Sequence, residues 1–566
     1  MQTMGSKSVE ELTTENVLLT VRAMTRTLDT VVEELVPKLP PTLNLLTMWK
    51  EVGEERIRTN IISFYENNKE SLGNHEMMEL LSFADAQETV MKEYGVDAKV
   101  ISKLAADMLQ QYKNVTTTAM HQWMERIFEN EKLESKKFKS LSDVEMSREM
   151  RCTWPEDLMT CCCQQTRLAI NNLRSESKVV ICRMVVENIP KFLRQLISHY
   201  EEEVGRFVAN RGTEKGNIFG VWKTKRRAES VTKEDFESLR DVQCLQLCAL
   251  QNNLLRFSNL IDEEWQWMQS EDSFVKIHSA LDTLGDLVRK LQSLIERKCA
   301  WTKEVLCSNI AQDFEHIVCN DENKLFGSNW YSTRLLPQEL RATMADYNGD
   351  LKMWIYGTDV LQEIVVGVLR KIVLAYLKKL LTEGHSVTSI HLVALLSRDV
   401  ADLRSMWLDL ITNDSEGEGD VASMISKKGD QVNLVLKPLE ACISLLTAIS
   451  PDNAGSQARV VASNAFSDTM SEVVASQIIP CFGQHATSVW FTLMYIREDR
   501  DVTINSLYRN LQNSFAAVEN LGKGTHYGES YIDISDFASS LKGGRTKRTP
   551  KIRNDKGDSP KRMIAK

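Results

Sequence analysis

The sequence predicts an all-α fold built from long helices. The chain of 566 residues contains only 25 glycines and 11 prolines, about 4% and 2% where about 7% and 5% are usual. Both residues interrupt helices, and 146 residues without proline separate Pro190 from Pro337. A β-sandwich needs turn signals about every 8–12 residues, and a parallel α/β enzyme needs glycine-rich turns. The scarcity of both residues therefore argues against these two classes.

The length predicts several domains rather than one. Domains usually contain about 100–200 residues, so we expect three or four. The composition, 43% hydrophobic and 26% charged, is typical of a folded soluble chain with a large core. We predict four helical bundles followed by a disordered basic tail, with boundaries at 1–140, 141–335, 336–412, 413–540 and 541–566.

The helices of the first bundle are predicted from apolar residues at helical spacing. Pro37 ends the first helix, and Gly95 ends the third in the usual C-terminal glycine position. The stretch 131–148 is charged and nearly free of aromatic residues, which indicates a hinge. The predicted ranges are 17–36, 43–68, 76–94 and 97–128.

The next helix has a strong start signal at Thr153. A capping threonine is followed by Pro155 and by the acidic residues Glu156 and Asp157 in the first turn. A long helix over 178–206 contains Pro190, a candidate kink. The basic, glycine-containing segment that follows is predicted to be an exposed loop, over 210–233.

The remaining helices are separated by a connector and an acidic loop. The most apolar run contains Glu363, Arg370 and Lys371, and mid-span charges cost about 2.5–3.5 kcal/mol each in a bilayer. This run is therefore predicted to be a buried helix and not a membrane span. The ranges are 236–267, 272–294, 298–319, 338–356, 359–381, 387–411, 432–449, 457–479, 483–495 and 503–521, with the connector at 321–337 and the acidic loop at 413–420.

Charge is distributed unevenly along the chain. The net charge is −9, but residues 541–566 hold ten Lys or Arg and two acids, so this tail is +8 and the rest is −17. The rest of the chain is too acidic for a general nucleic-acid binder, because such a protein needs a clustered basic face. Each basic residue near an anionic lipid surface adds about 1 kcal/mol of binding free energy, so one interpretation of the tail is a lipid contact. The alternative is that the tail only keeps the protein soluble. The candidate lipid contacts are Arg545, Lys547, Arg548, Lys551 and Arg553.

Catalytic and cofactor motifs are missing from the sequence. It contains no phosphate loop, no dinucleotide-binding glycine pattern and no serine nucleophile elbow. We therefore expect no enzyme activity, no cofactor, no metal and no small-molecule substrate. A site unrelated to these motifs stays a minor alternative.

The twelve cysteines are too dilute for a disulfide scaffold and predict a reduced, cytosolic chain. A zinc site was weighed against packed core thiols for Cys299, Cys307, His316 and Cys319, whose helical spacing favours the thiols. Three consecutive helical residues cannot share one face. Cys161, Cys162 and Cys163 are therefore predicted to be buried or half-buried thiols rather than a redox or palmitoylation site.

Several segments, in the same order, resemble the exocyst complex component three family. Asp346, Tyr347 and Asp350 match its Asp-Tyr-x-x-Asp segment, and the following helix over 368–381 is similar to its Val-Val-x-x-Tyr-Leu helix. The resemblance covers about residues 100–515. The other similar segments are the tryptophan-containing 120–124, the Pro-x-Asp-Leu helix start at 154–158 with Gln164 and Gln165, and 497–499.

This resemblance implies an elongated rod of consecutive helical bundles that acts as a non-enzymatic scaffold. Such subunits tether secretory vesicles at the plasma membrane before SNARE-mediated fusion. The implied partners are other exocyst subunits and SNARE proteins, with small GTPases and phosphoinositide lipids as further candidates. The implied location is cytoplasmic, peripheral at the plasma membrane and secretory vesicles.

Two points qualify this expectation. The alternative is the tumour-necrosis-factor-induced relative of the same family, which acts with small GTPases in membrane protrusion. Family members usually begin with a longer helical region that pairs with partner subunits. This chain begins inside that pattern, so it resembles an N-terminally shortened member.

Overall fold

The computed structural model divides the chain into two compact units, residues 1–302 and 303–566. Every regular element among the described residues is helical, which confirms the predicted all-α class and its bundles. The four-bundle boundaries and the elongated arrangement stay predictions. The described residues are 13–137, 150–211, 233–271, 278–319, 325–326, 330, 335–383, 389–412, 421–447, 468–496, 503–519 and 531–541.

The first unit contains helices that pack in chain order. Helix α1 packs on α4, α4 on α5, α5 on α6 and α7, and α6 on α7 and α8. A π-helical stretch, Val31–Leu35, extends α1, and another, Ile57–Ile62, joins α2 to α3. The bounds are α1 Thr14–Thr30, α2 Leu45–Arg56, α3 Ser63–Asn68, α4 Asn74–Glu93, α5 Lys99–Lys137, α6 Trp154–Asn172, α7 Ser177–Arg211 and α8 Lys233–Ser270. Helix α9, His278–Cys319, begins in the first unit and ends in the second, so its residues from 303 onward belong to the second unit.

Two helix ends show the expected capping chemistry, and one predicted cap does not form. The hydroxyl of Thr13 accepts a hydrogen bond from the Asn16 amide, 3.4 Å away, and so caps α1. Gly95 ends α4 with a φ of +68°, a backbone conformation that favours glycine. Thr153 precedes α6 as predicted, but its hydroxyl donates to the Asp157 carboxylate at 2.8 Å instead of capping the backbone.

Aromatic packing and buried polar bonds hold the first unit together. Trp154, which is 1% exposed, lies 5.6 Å from the Phe192 ring and 5.3 Å from the Phe257 ring, centroid to centroid. These three rings join α6, α7 and α8. Buried Asp85 of α4 accepts hydrogen bonds from the amides of Arg174 and Ser175, which fixes the turn between α6 and α7.

The second unit is also helical throughout its described residues. Helix α10 packs on α12, α11 packs on α12 and α13, and α15 packs on α11 and α13. The indole of Trp407 on α12 donates to the Val365 carbonyl of α11 at 2.9 Å. The helices are α10 Leu335–Trp354, α11 Thr358–Glu383, α12 Ser389–Thr412, α13 Val421–Thr447, α14 Ile479–Phe482, α15 Ala486–Ile496, α16 Thr503–Glu519 and α17 Ser535–Ala538.

Four sequence predictions of element boundaries are corrected. The first α-helix ends at Thr30 and not at residue 36, since the chain continues as the wider π-helical stretch Val31–Leu35 and then as a tighter 3-10 turn, Val36–Lys38. The predicted single helix over 43–68 is interrupted by the π-helical stretch. The two predicted helices over 272–294 and 298–319 are one helix, α9, because no glycine or proline separates them. Helix α5 runs through the start of the predicted hinge to Lys137.

Other predictions fall partly or wholly on residues outside the described ranges. The rest of the hinge, at 138–149, is one of them, and most of the basic loop over 210–233 is another. The acidic loop at 413–420 and most of the connector over 321–337 also lie there.

Candidate functional site

An exposed run of large apolar side chains follows α1. It comprises Leu35, Leu39, Leu43, Met48 and Val52, which we call the apolar segment; their exposed fractions run from 39% to 72%. These are five of the eleven large hydrophobic residues that the described part of the chain exposes, within 18 positions. Such a concentration is typical of a surface that binds another protein.

Helix α2 shows why these side chains are left exposed. Its Leu46 is buried and contributes to a core with Leu28 and Val90, against which Trp49 packs. Met48 and Val52, four residues apart, lie on another face of the same helix. Helix α2 therefore carries more apolar residues than its contact with the first unit can cover.

A cluster of buried polar side chains lies deeper in the first unit. Glu131 and Glu134 of α5, Cys152 before α6, Tyr200 of α7 and Asn253 of α8 form what we call the polar junction. The carboxylate oxygens of the two glutamates and the Cys152 sulfur all lie within 4.8 Å of one another. Residues far apart in the sequence thus meet at one point.

Hydrogen bonds fix the members of the polar junction. The Tyr200 hydroxyl donates to Oε1 of Glu131 at 2.5 Å. The Thr153 amide donates to Oε2 of Glu134 at 3.1 Å, and the Cys152 amide donates to Oδ1 of Asn253 at 3.1 Å. The other carboxylate oxygen of Glu131 is buried and accepts no hydrogen bond from an N–H or O–H group of the described residues. The Cys152 thiol is the weak donor that lies beside this carboxylate.

Burial dominates the electrostatics of the polar junction. It raises the pKa of the Glu131 carboxyl, while the Tyr200 hydroxyl acts to lower that pKa. It also raises the pKa of the Cys152 thiol, and Glu131 adds to this shift. The junction therefore concentrates acidic groups in a place where negative charge is poorly solvated.

Another buried carboxyl, Asp399, lies in the second unit. Asp399 of α12 accepts a hydrogen bond from the Trp330 indole at 2.7 Å, and Arg398 lies 3.6 Å away. Burial raises the pKa of Asp399 to about 6, against an ordinary 3.8. A shallow groove opens nearby between α10 and α12, lined by Pro337, Gln338, Arg341, Asp402, Leu403 and Met406.

The structure describes only some of the residues that were singled out in the sequence. Cys162 is buried and its neighbours Cys161 and Cys163 are partly buried, as predicted. Cys299 and Cys307 are buried, and Cys319 is partly buried. The predicted lipid contacts Arg545, Lys547, Arg548, Lys551 and Arg553 lie outside the described residues.

Sequence analysis missed both the apolar segment and the polar junction. The apolar residues of α2 were visible in the sequence, but they fall on one broad side of the helix, so nothing showed which of them the fold would leave exposed. The second left no signal, because Glu131 and Glu134 appear as part of a charged stretch and their partners lie on other helices.

The buried character predicted for the most apolar run is confirmed. Its helix, α11, buries residues along most of its length, including Ile364, Val368 and Leu377. Within the described ranges, no helix has both the length and the apolarity needed to cross a membrane.

Comparisons with known proteins agree with this architecture. No curated protein matches the chain. The structure is similar to one titled "Crystal structure of the C-terminal domain of the exocyst subunit Sec6p", with 11% identity and a TM-score of 0.50 over 74% of this chain and 91% of that chain. At this identity the likeness shows the fold alone.

The sequence also matches a family. The family described as "Exocyst complex component Sec6" matches residues 1–440, which is well over half of the 566 residues. The chain belongs to the Sec6 family of exocyst complex components.

Proposed function

We propose that this chain is a component-three subunit of an exocyst vesicle-tethering complex and that it works without catalysis. The observation that carries the proposal is the family match over residues 1–440. In this proposal the protein is cytoplasmic, peripheral at the plasma membrane and secretory vesicles, and holds vesicles there before SNARE-mediated fusion. Its work is to present helical surfaces to partner proteins.

The apolar segment is the surface that we assign to another subunit of the same complex. Its side chains lie on helical turns and on α2, where an amphipathic helix can bury them. Val52 is 72% exposed and Met48 is 54% exposed. Leaving such side chains in water forgoes burial free energy that a partner helix would recover.

Aspartate substitutions on α2 test this assignment. We expect the double variant Met48→Asp, Val52→Asp to recover fewer exocyst subunits in affinity purification of the full chain than the wild type does. Met353→Asp is the matched control, because Met353 is 46% exposed but lies on α10 in the second unit. Equal recovery by both variants would remove the apolar segment as the subunit-binding surface.

We also propose that the basic tail contacts phosphoinositide lipids. The charge of the tail supports this, since residues 541–566 hold ten Lys or Arg against two acids. Each basic residue near an anionic surface contributes about 1 kcal/mol. SNARE proteins and small GTPases are further proposed partners, whose binding surfaces we do not assign.

Truncation of the tail tests the lipid proposal. Leu541 is 4% exposed and belongs to the folded part, so the deletion should begin at residue 542. The truncated chain is expected to bind phosphatidylinositol-phosphate liposomes more weakly, with the difference shrinking at high salt. Unchanged binding, measured by liposome sedimentation, would contradict the proposal.

A further inference from the structure

The polar junction contains the donor set of a metal site. Glu131 and Glu134 lie three residues apart on α5 and so project from one face of the helix. The Cys152 sulfur joins them, and the three donor atoms lie within 4.8 Å of one another. Donor atoms that share one tetrahedral zinc ion are about 3.4 Å apart, given bonds of about 2.0–2.3 Å. Movements of about an ångström would therefore bring all three onto one ion.

The surrounding hydrogen bonds orient these donors. The Tyr200 hydroxyl holds Oε1 of Glu131, and the Thr153 amide holds Oε2 of Glu134. The Asn253 side chain holds the backbone of Cys152. Metal-binding proteins use such outer contacts to fix the direction of each ligand.

One buried oxygen points to a missing partner. Oε2 of Glu131 accepts no hydrogen bond from an N–H or O–H group of the described residues, although Glu131 is 1% exposed. The donor beside this carboxylate is the Cys152 thiol, and a thiol is a weak donor. A buried polar atom without a partner costs about 1–3 kcal/mol, and more when it is charged. A bound cation would satisfy this oxygen and neutralise the neighbouring acids together.

We propose that Glu131, Glu134 and Cys152 bind one zinc ion, with a water molecule as the fourth ligand. A sulfur ligand selects zinc over magnesium or calcium, which prefer oxygen. Glu131 and Cys152 are buried, whereas Glu134 is only partly buried, so solvent reaches the ion from the Glu134 side. The ion ties α5 to the segment that leads into α6.

Cobalt titration of the purified full chain, after treatment with a chelator, tests the proposal. Co²⁺ is the probe because cobalt bound to a thiolate in tetrahedral geometry absorbs strongly. We expect one Co²⁺ per chain with a thiolate-to-cobalt band, and added Zn²⁺ should abolish the band. A wild-type chain without this band would overturn the proposal.

Matched variants separate this site from the other cysteines and carboxylates. We expect Cys152→Ser to remove the band and Cys161→Ser, at a partly buried thiol outside the junction, to keep it. Because Cys152 is buried, Glu134→Gln provides a second loss variant that leaves the core intact. Its control is Glu129→Gln on the same helix, where Glu129 pairs with Lys132 at the surface.

A graded variant tests the orienting bond. Tyr200→Phe removes the hydroxyl that holds Glu131, and loss of such an outer contact weakens metal binding about 10–100-fold. Equal affinity in Tyr200→Phe and the wild type, or a band that persists in Cys152→Ser, would contradict the assignment.

Discussion

At the scale of single residues, Asp399 is a buried carboxyl with an unusual environment. Its side chain is 1% exposed, the Trp330 indole donates a hydrogen bond to it at 2.7 Å, and the Arg398 guanidinium lies 3.6 Å away. Burial raises its pKa to about 6, and Asp402 adds to the shift while Trp330 and Arg398 oppose it. At neutral pH this carboxylate therefore carries a charge that the fold stabilises poorly.

Asp399→Asn should change how stability depends on pH. The folded pKa of about 6 lies above the ordinary 3.8, so the folded state binds the proton more tightly than the unfolded state. The contribution of Asp399 to stability is thus fully present below about pH 4 and is lost as the pH rises through 6. Between pH 5 and pH 7 this loss is about 1 kcal/mol. Urea unfolding at both values should show it in the wild type and not in the variant; parallel changes in the two proteins would disprove this role.

Trp154 should be the largest single contributor to the core of the first unit. It is 1% exposed and contacts the rings of Phe192 and Phe257 on two other helices. We expect Trp154→Ala to lower the free energy of unfolding by about 3–5 kcal/mol. The control is Trp267→Ala, because Trp267 is partly exposed and stacks only under Arg167 at 4.9 Å in the ring contacts described for it. If chemical denaturation shows that both variants lose the same free energy of unfolding, the three-ring contact does not make Trp154 more important than a partly exposed tryptophan.

At the scale of elements, one glycine sets how closely two helices approach. A β-carbon built on Gly367 of α11 would lie 2.6 Å from the sulfur of Cys307 on α9. The same cysteine donates to the Ile364 carbonyl at 3.4 Å. Glycine at 367 is therefore required by packing, since its backbone conformation is ordinary and helical.

Gly367→Ala should destabilise the protein. The added methyl group forces α9 and α11 apart, and overpacking of this kind costs about 1–3 kcal/mol. Gly349→Ala on α10 is the matched control, because a β-carbon there meets nothing within 4 Å. That control should stabilise its helix by about 0.5–1 kcal/mol. Thermal unfolding of both variants measures these changes in stability. A stabilised Gly367→Ala variant would show that α9 and α11 are not in close contact at this position.

Sequence patterns predicted the elements better than the contacts between them. Gly95 and Thr153 mark helix ends because the signals for helix ends are local, even though the Thr153 hydroxyl bonds to Asp157 and not to the backbone. Tyr200 and Asn253 could not be assigned to the polar junction, since each is one polar residue on a long helix and only packing brings it to Cys152. Cys307 and Gly367 likewise lie 60 positions apart, and nothing local indicates their contact.

At the scale of the whole molecule, the fold class was predicted from the composition, and the family was predicted from the order of similar segments. Few glycines and prolines predicted an all-α chain, and the structure confirms this for the residues it describes. The resemblance predicted an exocyst family, which the match to the Sec6 family confirms; the narrower component-three assignment is part of our proposal. Partner surfaces could not be predicted, because exposure of α2 depends on how the first unit packs around it.

Affinity purification of the full chain, followed by mass spectrometry, tests the central claim most directly. A tethering-complex subunit should recover several other exocyst subunits in comparable amounts, and this recovery should persist after washing at moderate salt. Recovery of small GTPases without other exocyst subunits would contradict the account and favour a role in membrane protrusion. Recovery of neither class would contradict both.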